Sequence, residues 1–282
     1  MRILHCSDVH ITHDYFHGPL WPLGWRRWVA LLELKFGGRS EDYAEAKATL
    51  GKIAEGMKTH AAGHLIVSGD VTAYAMESEF SGAVEALSPW VNEPTLCTVI
   101  PGNHDTYTRE VVQEKRFERF FGHLLHSDLP EYCREGPYPL VRLLGDDVAV
   151  VGLCSARLNA APGLSFGVIG KAQLSGLEAL LQDARLRHRA VLVAVHHAPL
   201  RANGTPDKPS HGLRDGQRLF ELVKGPRFAV LHGHIHHRYH HEATEDRPHL
   251  LGAGSSTQKG REGYWLIDIE EGRFVKFQAV TP

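Results

Sequence analysis

The apolar run Phe228-Ala229-Val230-Leu231 is followed by His232-Gly233-His234-Ile235-His236-His237. Histidines at i and i+2, just past a strand end, leave two imidazoles free to converge on one point, and neutral imidazole is the commonest metal ligand among side chains. Similar endings recur along the chain. Arg2 to Cys6 runs into Ser7-Asp8-Val9-His10, and His64 to Ser68 ends in Gly69-Asp70. Leu96 to Pro101 ends in Gly102-Asn103-His104-Asp105, and Ala190 to Val195 runs into His196-His197. Five strand ends thus present Asp8, His10, Asp70, Asn103, His104, His196, His234 and His236.

Leaving His104 aside, the seven others mix oxygen and nitrogen with no thiolate. That donor set suits manganese, iron or zinc rather than a cysteine-rich structural zinc. Seven ligands exceed one four-coordinate ion and match two divalent metal ions sharing a carboxylate. Two metals about 3.5–4 Å apart clamp a phosphoryl group for in-line displacement. Asp70 stands alone after a buried strand, and its two oxygens make it the expected bridge. A solvent molecule between the ions, deprotonated near neutral pH, is the expected nucleophile, so neither Ser nor Cys is required. His104, beside Asn103, is placed to give the leaving oxygen a proton. Two readings of Asp105 stand: it orients the imidazole of His104, or it caps the next helix.

The elements that must position these residues alternate. Buried strands are expected at residues 2–6, 64–70, 96–101, 148–153, 190–195 and 228–231, and helices at 41–59 (capped by Ser40), 78–87, 110–121, 170–187 and 217–223. Polar residues gathering at the carboxyl ends of strands are the α/β pattern, in which ligands bind outside those ends. Strands at 249–254, 264–269 and 274–280 follow, the last two joined by a hairpin at Glu271-Gly272. No internal repeat or linker breaks the chain, so residues 1–282 read as one domain.

One insertion interrupts it. Residues 14–40 hold Trp21, Trp25 and Trp28, three of the five tryptophans, with Arg26, Arg27, Lys35 and Arg39. The segment reads as a flap packed on the body, as a lid over the site, or as a patch that touches lipid at a membrane surface.

Composition sets the outer bounds. The 282 residues are 43% apolar and carry a formal charge of −2, from 31 basic and 33 acidic residues. That balance argues against nucleic acid as a partner, which would call for a basic stripe. Cys6, Cys97, Cys133 and Cys154 form no CxxC pair; Cys6, Cys97 and Cys154 read as core thiols, and a reducing compartment is expected. The N-terminus enters a strand directly, without a basic-then-apolar leader, and no stretch approaches the ~18 apolar residues of a membrane span. A cytoplasmic protein is expected.

Asp8-Val-His10, Gly69-Asp70, Gly102-Asn103-His104-Asp105, His196 and Gly233-His234-Ile-His236, in this order over residues 8–236, resemble the ordered signature of the calcineurin-like metallophosphoesterases. The resemblance implies a four-layer αββα sandwich, an α/β fold of two mixed β-sheets flanked by helices. It implies that Asp8, His10, Asp70 and His236 hold one metal, that Asp70, Asn103, His196 and His234 hold the other, and that His104 assists catalysis. The family's His-His-Pro-Pro form points to His196 as the ligand; Ala198 replaces the first proline here, which keeps His197 as an alternative, for the metal or for substrate.

Departures narrow the branch. Gly69-Asp70 continues as Val-Thr-Ala-Tyr, without the acidic residue and arginine of the Ser/Thr protein phosphatases. His104 stands where the lipid A pathway hydrolase has arginine. The chain has no evident room for the added regions of the repair nucleases. Val67-Ser-Gly-Asp and Ile100-Pro-Gly-Asn-His-Asp are similar to bacterial class III cyclic-nucleotide and glycerophosphodiester phosphodiesterases, which implies a small-molecule phosphodiester substrate. Hydrolysis of a lipid-linked or nucleotide-sugar pyrophosphate, and a non-catalytic metal-stabilised binding module, are the alternatives. In the loop 203–216, Arg214 is read either as a phosphate ligand beside His211 or as a surface arginine paired with Asp215.

Overall fold

Successive side chains of a strand point to opposite faces, and here each face meets a different layer. In the computed structural model, which describes residues 1–12, 39–158 and 164–282, the first strand, β1 (Arg2–Cys6), sends Leu4 and Cys6 to one side and Ile3 to the other. The strand β2 (His64–Val67) repeats the pattern, with Leu65 and Val67 on the first side and Ile66 on the second. With β3 (Cys97–Val99), β10 (Tyr264–Glu270) and β11 (Arg273–Val280) they form a mixed sheet in the order β11-β10-β1-β2-β3. β1, β2 and β3 run parallel, and β10 and β11 pair antiparallel.

A second mixed sheet has the order β4-β5-β6-β7-β9-β8. It comprises β4 (Leu140–Leu144), β5 (Val148–Leu153), β6 (Ala190–Val195), β7 (Phe228–His232), β8 (Arg238–His241) and β9 (His249–Ala253). In β6, Leu192 and Ala194 join Ile3, Ile66 and Ile267 between the sheets, while Val191, Val193 and Val195 face outward. The outer face of the first sheet is covered by α2 (Ala46–Thr59), α3 (Glu77–Leu87) and α5 (Arg116–Phe121). That of the second is covered by α6 (Lys171–Leu180) and α7 (Gly216–Leu222). The result is helix, sheet, sheet, helix, as expected. Each fully buried Leu, Ile or Val contributes about 1.5–3 kcal/mol through the hydrophobic effect.

Several boundaries differ from expectation. The helix expected at 41–59 begins as a separate turn, α1 (Arg39–Asp42), and α2 follows Glu45 with no side-chain cap. That expected at 110–121 is two helices, α4 (Arg109–Gln113) and α5, broken where Lys115 takes φ 49°. That expected at 170–187 ends at Leu180, followed by a 3-10 turn at Ala184–Leu186. The hairpin at Glu271-Gly272 is present, with φ 48° and 70° at its two central residues, the left-handed pair that suits strand twist. The stretch 14–38, with Trp21, Trp25 and Trp28, lies outside the described residues. Among those described, no helix is long and apolar enough to cross a membrane.

Candidate metal centre

The carboxyl ends of β1, β2 and β3 in one sheet and of β6 and β7 in the other open onto the same region, so the strand-end residues arrive from five loops. Asp8, His10, Asp70, His234 and His236 all have positive φ, between 48° and 70°, and are five of nine such non-glycine residues among those described. Backbone strain of this kind costs about 1–3 kcal/mol per residue and concentrates at functional sites. Glycines make the close approach possible. A Cβ on Gly102 would collide with the Asp70 carboxylate, and one on Gly233 with the carboxylate of Asp8 and the hydroxyl of Ser7.

Three triads of candidate ligand atoms result, the atoms of each lying within 4.8 Å of one another: Asp8, His10 and His236; Asp70, His196 and His234; and, overlapping both, His10, Asp70 and His104. In the first, His236 Nε2 lies 3.2 Å from Asp8 Oδ1 and 3.2 Å from His10 Nε2. In the second, His196 Nε2 lies 3.3 Å from Asp70 Oδ2 and 3.1 Å from Asn103 Oδ1. Asp70 Oδ2 is also 3.9 Å from His10 Nε2, so one carboxylate faces both groups. Its other oxygen accepts the His104 backbone N–H at 2.8 Å.

Each imidazole has its far nitrogen engaged. His10 Nδ1 meets the Thr72 carbonyl, His104 Nδ1 that of Ala73, His196 Nδ1 that of Ser68, and His234 Nε2 that of His211. His236 Nδ1 faces the Tyr43 hydroxyl. Fixing one ring nitrogen sets the tautomer and aims the other inward, the usual support for a metal-ligating histidine.

The electrostatics favour added positive charge. Burial works against ionisation of Asp8, yet the His236 imidazole holds its carboxyl below the usual range. Burial likewise opposes charge on Asp70, and His196 and His104 hold it well below that range. Burial would lower His196, but Asp70 overrides it and pushes the imidazole up to about 9. Two buried carboxylates lean on histidine protons, a role that a divalent cation fills more strongly while displacing those protons. The donor set, its convergence and its charge fit a pair of divalent cations.

The adjacent histidines separate. His196 reaches Asp70, whereas His197 is buried with Nδ1 2.8 Å from the Ser155 hydroxyl, and its ring packs 4.4 Å from that of His234. His197 therefore touches neither Asp70 nor the cleft. Asp105 matches neither of its readings. Its carboxylate accepts from the backbone N–H groups of Val71, Thr72 and Gly102 and from the Thr72 hydroxyl. It ties the Asp70 loop to the Asn103 loop, and His104 is oriented by Ala73 instead. Burial and nearby Asp70 push its carboxyl up to about 7 against those four donors.

A cleft of about 880 Å³ opens over the site, with Asp70, Asn103, His104, His234 and His236 in its lining. Arg214 is not part of it: its Nε donates to the Pro209 carbonyl and its guanidinium lies 3.3 Å from the Phe166 ring centre. Asp215 accepts instead from the N–H groups of Ile169 and Gly170. The loop residues that do line the cleft include Arg201, Lys208 and His211; sequence reasoning picked out only His211, because no local pattern reveals which side of a long loop faces a site.

Comparison with known proteins adds a family. Residues 1–238 match the model of the calcineurin-like phosphoesterases. A protein of Synechococcus sp. (strain WH7803), named a probable cyclic nucleotide phosphodiesterase, is 40% identical over 75 residues. That match spans 26% of this chain and only 28% of the relative. A dimetal phosphatase from Danio rerio superposes with a TM-score of 0.63 at 13% identity, over 99% of this chain and 98% of that one. A purple acid phosphatase from seeds of yellow lupin (Lupinus luteus) gives 0.56 at 10% identity, over 99% of this chain and 53% of the other. At such identities these two are likenesses of fold alone.

Proposed function

The chain belongs to the calcineurin-like phosphoesterase family, and from that premise we propose that it is a two-metal phosphodiesterase acting on a small molecule. The observation that carries this reading is the position of Asp70, one carboxylate facing a histidine-containing group on either side. Asp8, His10, Asp70 and His236 would hold one cation; Asp70, Asn103, His196 and His234 would hold the other. When bound, the pair supplies a solvent nucleophile deprotonated near neutral pH and neutralises charge on the phosphoryl oxygens.

The remaining work falls to the chain. His104 has Nδ1 committed to the Ala73 carbonyl, which leaves Nε2 to give a proton to the leaving oxygen. Asp105, from beneath, keeps the Asp70 and Asn103 loops in register. The diester preference draws support from the name of the Synechococcus relative. Strands from both ends of the chain, β1, β10 and β11, share one sheet, which supports a single domain over residues 1–282. All four cysteines are free thiols, in keeping with a cytoplasmic setting.

The test is dialysis against a chelator, followed by assay on bis(p-nitrophenyl) phosphate before and after Mn²⁺ is returned. Turnover should vanish and then recover. Full activity in the metal-stripped protein would contradict the reading.

A further inference from the structure

The loop between β6 and α7 forms one wall of the cleft, and its charge is not needed for the chemistry at Asp70. Arg201 and Lys208 both line the cleft. The Arg201 guanidinium makes no hydrogen bond among the described residues and forms a loose ion pair with Asp207, its Nε 3.7 Å from the carboxylate. Asp207 is already engaged, with His211 Nδ1 and with the Lys208 N–H. The Lys208 ammonium has no hydrogen bond or ion pair among the described residues. Ser165 and Ser210 line the same wall and offer neutral donors. Among the described residues, Asp70 and Asp207 are the only acidic ones in the lining, and the site's cations would neutralise the first.

The wall is held in place. The Tyr239 hydroxyl donates to the Leu200 carbonyl, and the Arg201 backbone N–H donates to Thr205. The N–H groups of His211 and Gly212 both donate to the Lys208 carbonyl, and that of Ser165 to the Ser210 carbonyl. The His211 carbonyl in turn takes His234 Nε2, which fixes the wall relative to the candidate metal ligands. Two exposed cationic side chains carried on a fixed backbone beside a phosphoester site suit an anion, since charge-assisted hydrogen bonds to phosphate are about twice as strong as neutral ones.

We propose that Arg201 and Lys208 bind a second phosphoryl group on the substrate, making this a hydrolase of phosphodiesters that carry an additional phosphate. The inference rests on the phosphodiesterase reading above and specifies its substrate class.

Two chromogenic esters differing by one group test it: thymidine 5′-(p-nitrophenyl phosphate) and its 3′-phosphorylated analogue, assayed with Mn²⁺ in excess over substrate. The ratio of their kcat/KM values is the readout. The wild-type enzyme should favour the 3′-phosphorylated ester by about tenfold or more, expressed mainly in KM. In R201Q/K208Q the ratio should fall to within about threefold of unity, and K208R, which keeps the charge, should retain most of the preference. A wild-type ratio near one, or one that survives R201Q/K208Q, overturns the subsite while hydrolysis of bis(p-nitrophenyl) phosphate leaves the phosphodiesterase reading standing. No turnover of any of the three esters overturns both.

Discussion

An imidazole whose far nitrogen is bonded to a fixed carbonyl can offer only its near one. His10, His104, His196 and His234 are all held in this way; His104 lines the cleft, as His234 does, and its free-facing side lies beside Asn103 and within ligand-atom distance of His10 and Asp70. Replacing His104 by Ala should lower kcat on bis(p-nitrophenyl) phosphate by about 10²–10⁴-fold, the usual worth of a general acid, while bound Mn²⁺ per chain stays as in the wild type. An unaltered kcat would remove His104 from catalysis. A second residue-scale expectation concerns a histidine far from the site. His64 is buried against the Thr95 carbonyl and the Thr98 hydroxyl, and burial pushes it down to about 4. Its folded pKa lies below the unfolded value, so its contribution is present above pH ~6.5 and is lost as pH falls through about 4, an amount of about 3 kcal/mol. Denaturant melts of metal-free protein across that range should show a shallower decline for His64→Gln than for the wild type; parallel curves would contradict the assignment. The candidate ligands were legible in the sequence because each lies within a few residues of an apolar run. Arg201 and Lys208 were not, and Arg214, which was singled out, lies outside the cleft lining, because the path of the loop from Leu200 to Arg214 is set by bonds to Tyr239, His234 and Gly167 that are distant in the chain.

At the scale of elements, most strands read correctly were buried on both faces, with continuous apolar runs; β11, an edge strand with no fully buried residue, was found through its hairpin. Two were missed for physical reasons. β4 carries Arg142 at its centre, and the buried guanidinium is satisfied by the carbonyls of Pro94, Leu124 and His126; a charge in mid-strand hides the pattern. β8 reads Arg-Tyr-His-His, a half-buried edge strand with no apolar alternation. This edge strand is what supports the cleft wall. Tyr239 donates to Leu200, its oxygen lies 2.8 Å from His232 Nε2, and His241 Nε2 faces the Arg201 carbonyl. Tyr239→Phe should therefore destabilise the fold by only about 1–2 kcal/mol but speed amide hydrogen exchange selectively across residues 200–211. Exchange unchanged in that stretch would mean that β8 does not hold the loop.

For the whole molecule, the two sheets have to pack before the site exists. β1, β2 and β3 bring Asp8, His10, Asp70 and Asn103, and β6 and β7 bring His196, His234 and His236. The layer of Ile3, Ile66, Leu192 and Leu231 between the sheets sets the spacing between those strand ends. Such a site is assembled by tertiary structure alone: the sequence showed its members and marked Asp70 as the expected bridge, but the bonds that aim each imidazole come from residues distant in the chain. Burying Asp8 and Asp70 together with strained backbone costs stability that bound cations would offset. The measurement that bears most directly on this is metal content: load the protein with Mn²⁺, remove the excess by gel filtration, and count metal per chain by mass spectrometry. The account predicts about two ions per chain in the wild type and less than half of that in Asp70→Ala. One ion or none in the wild type, or full retention by Asp70→Ala, would contradict it.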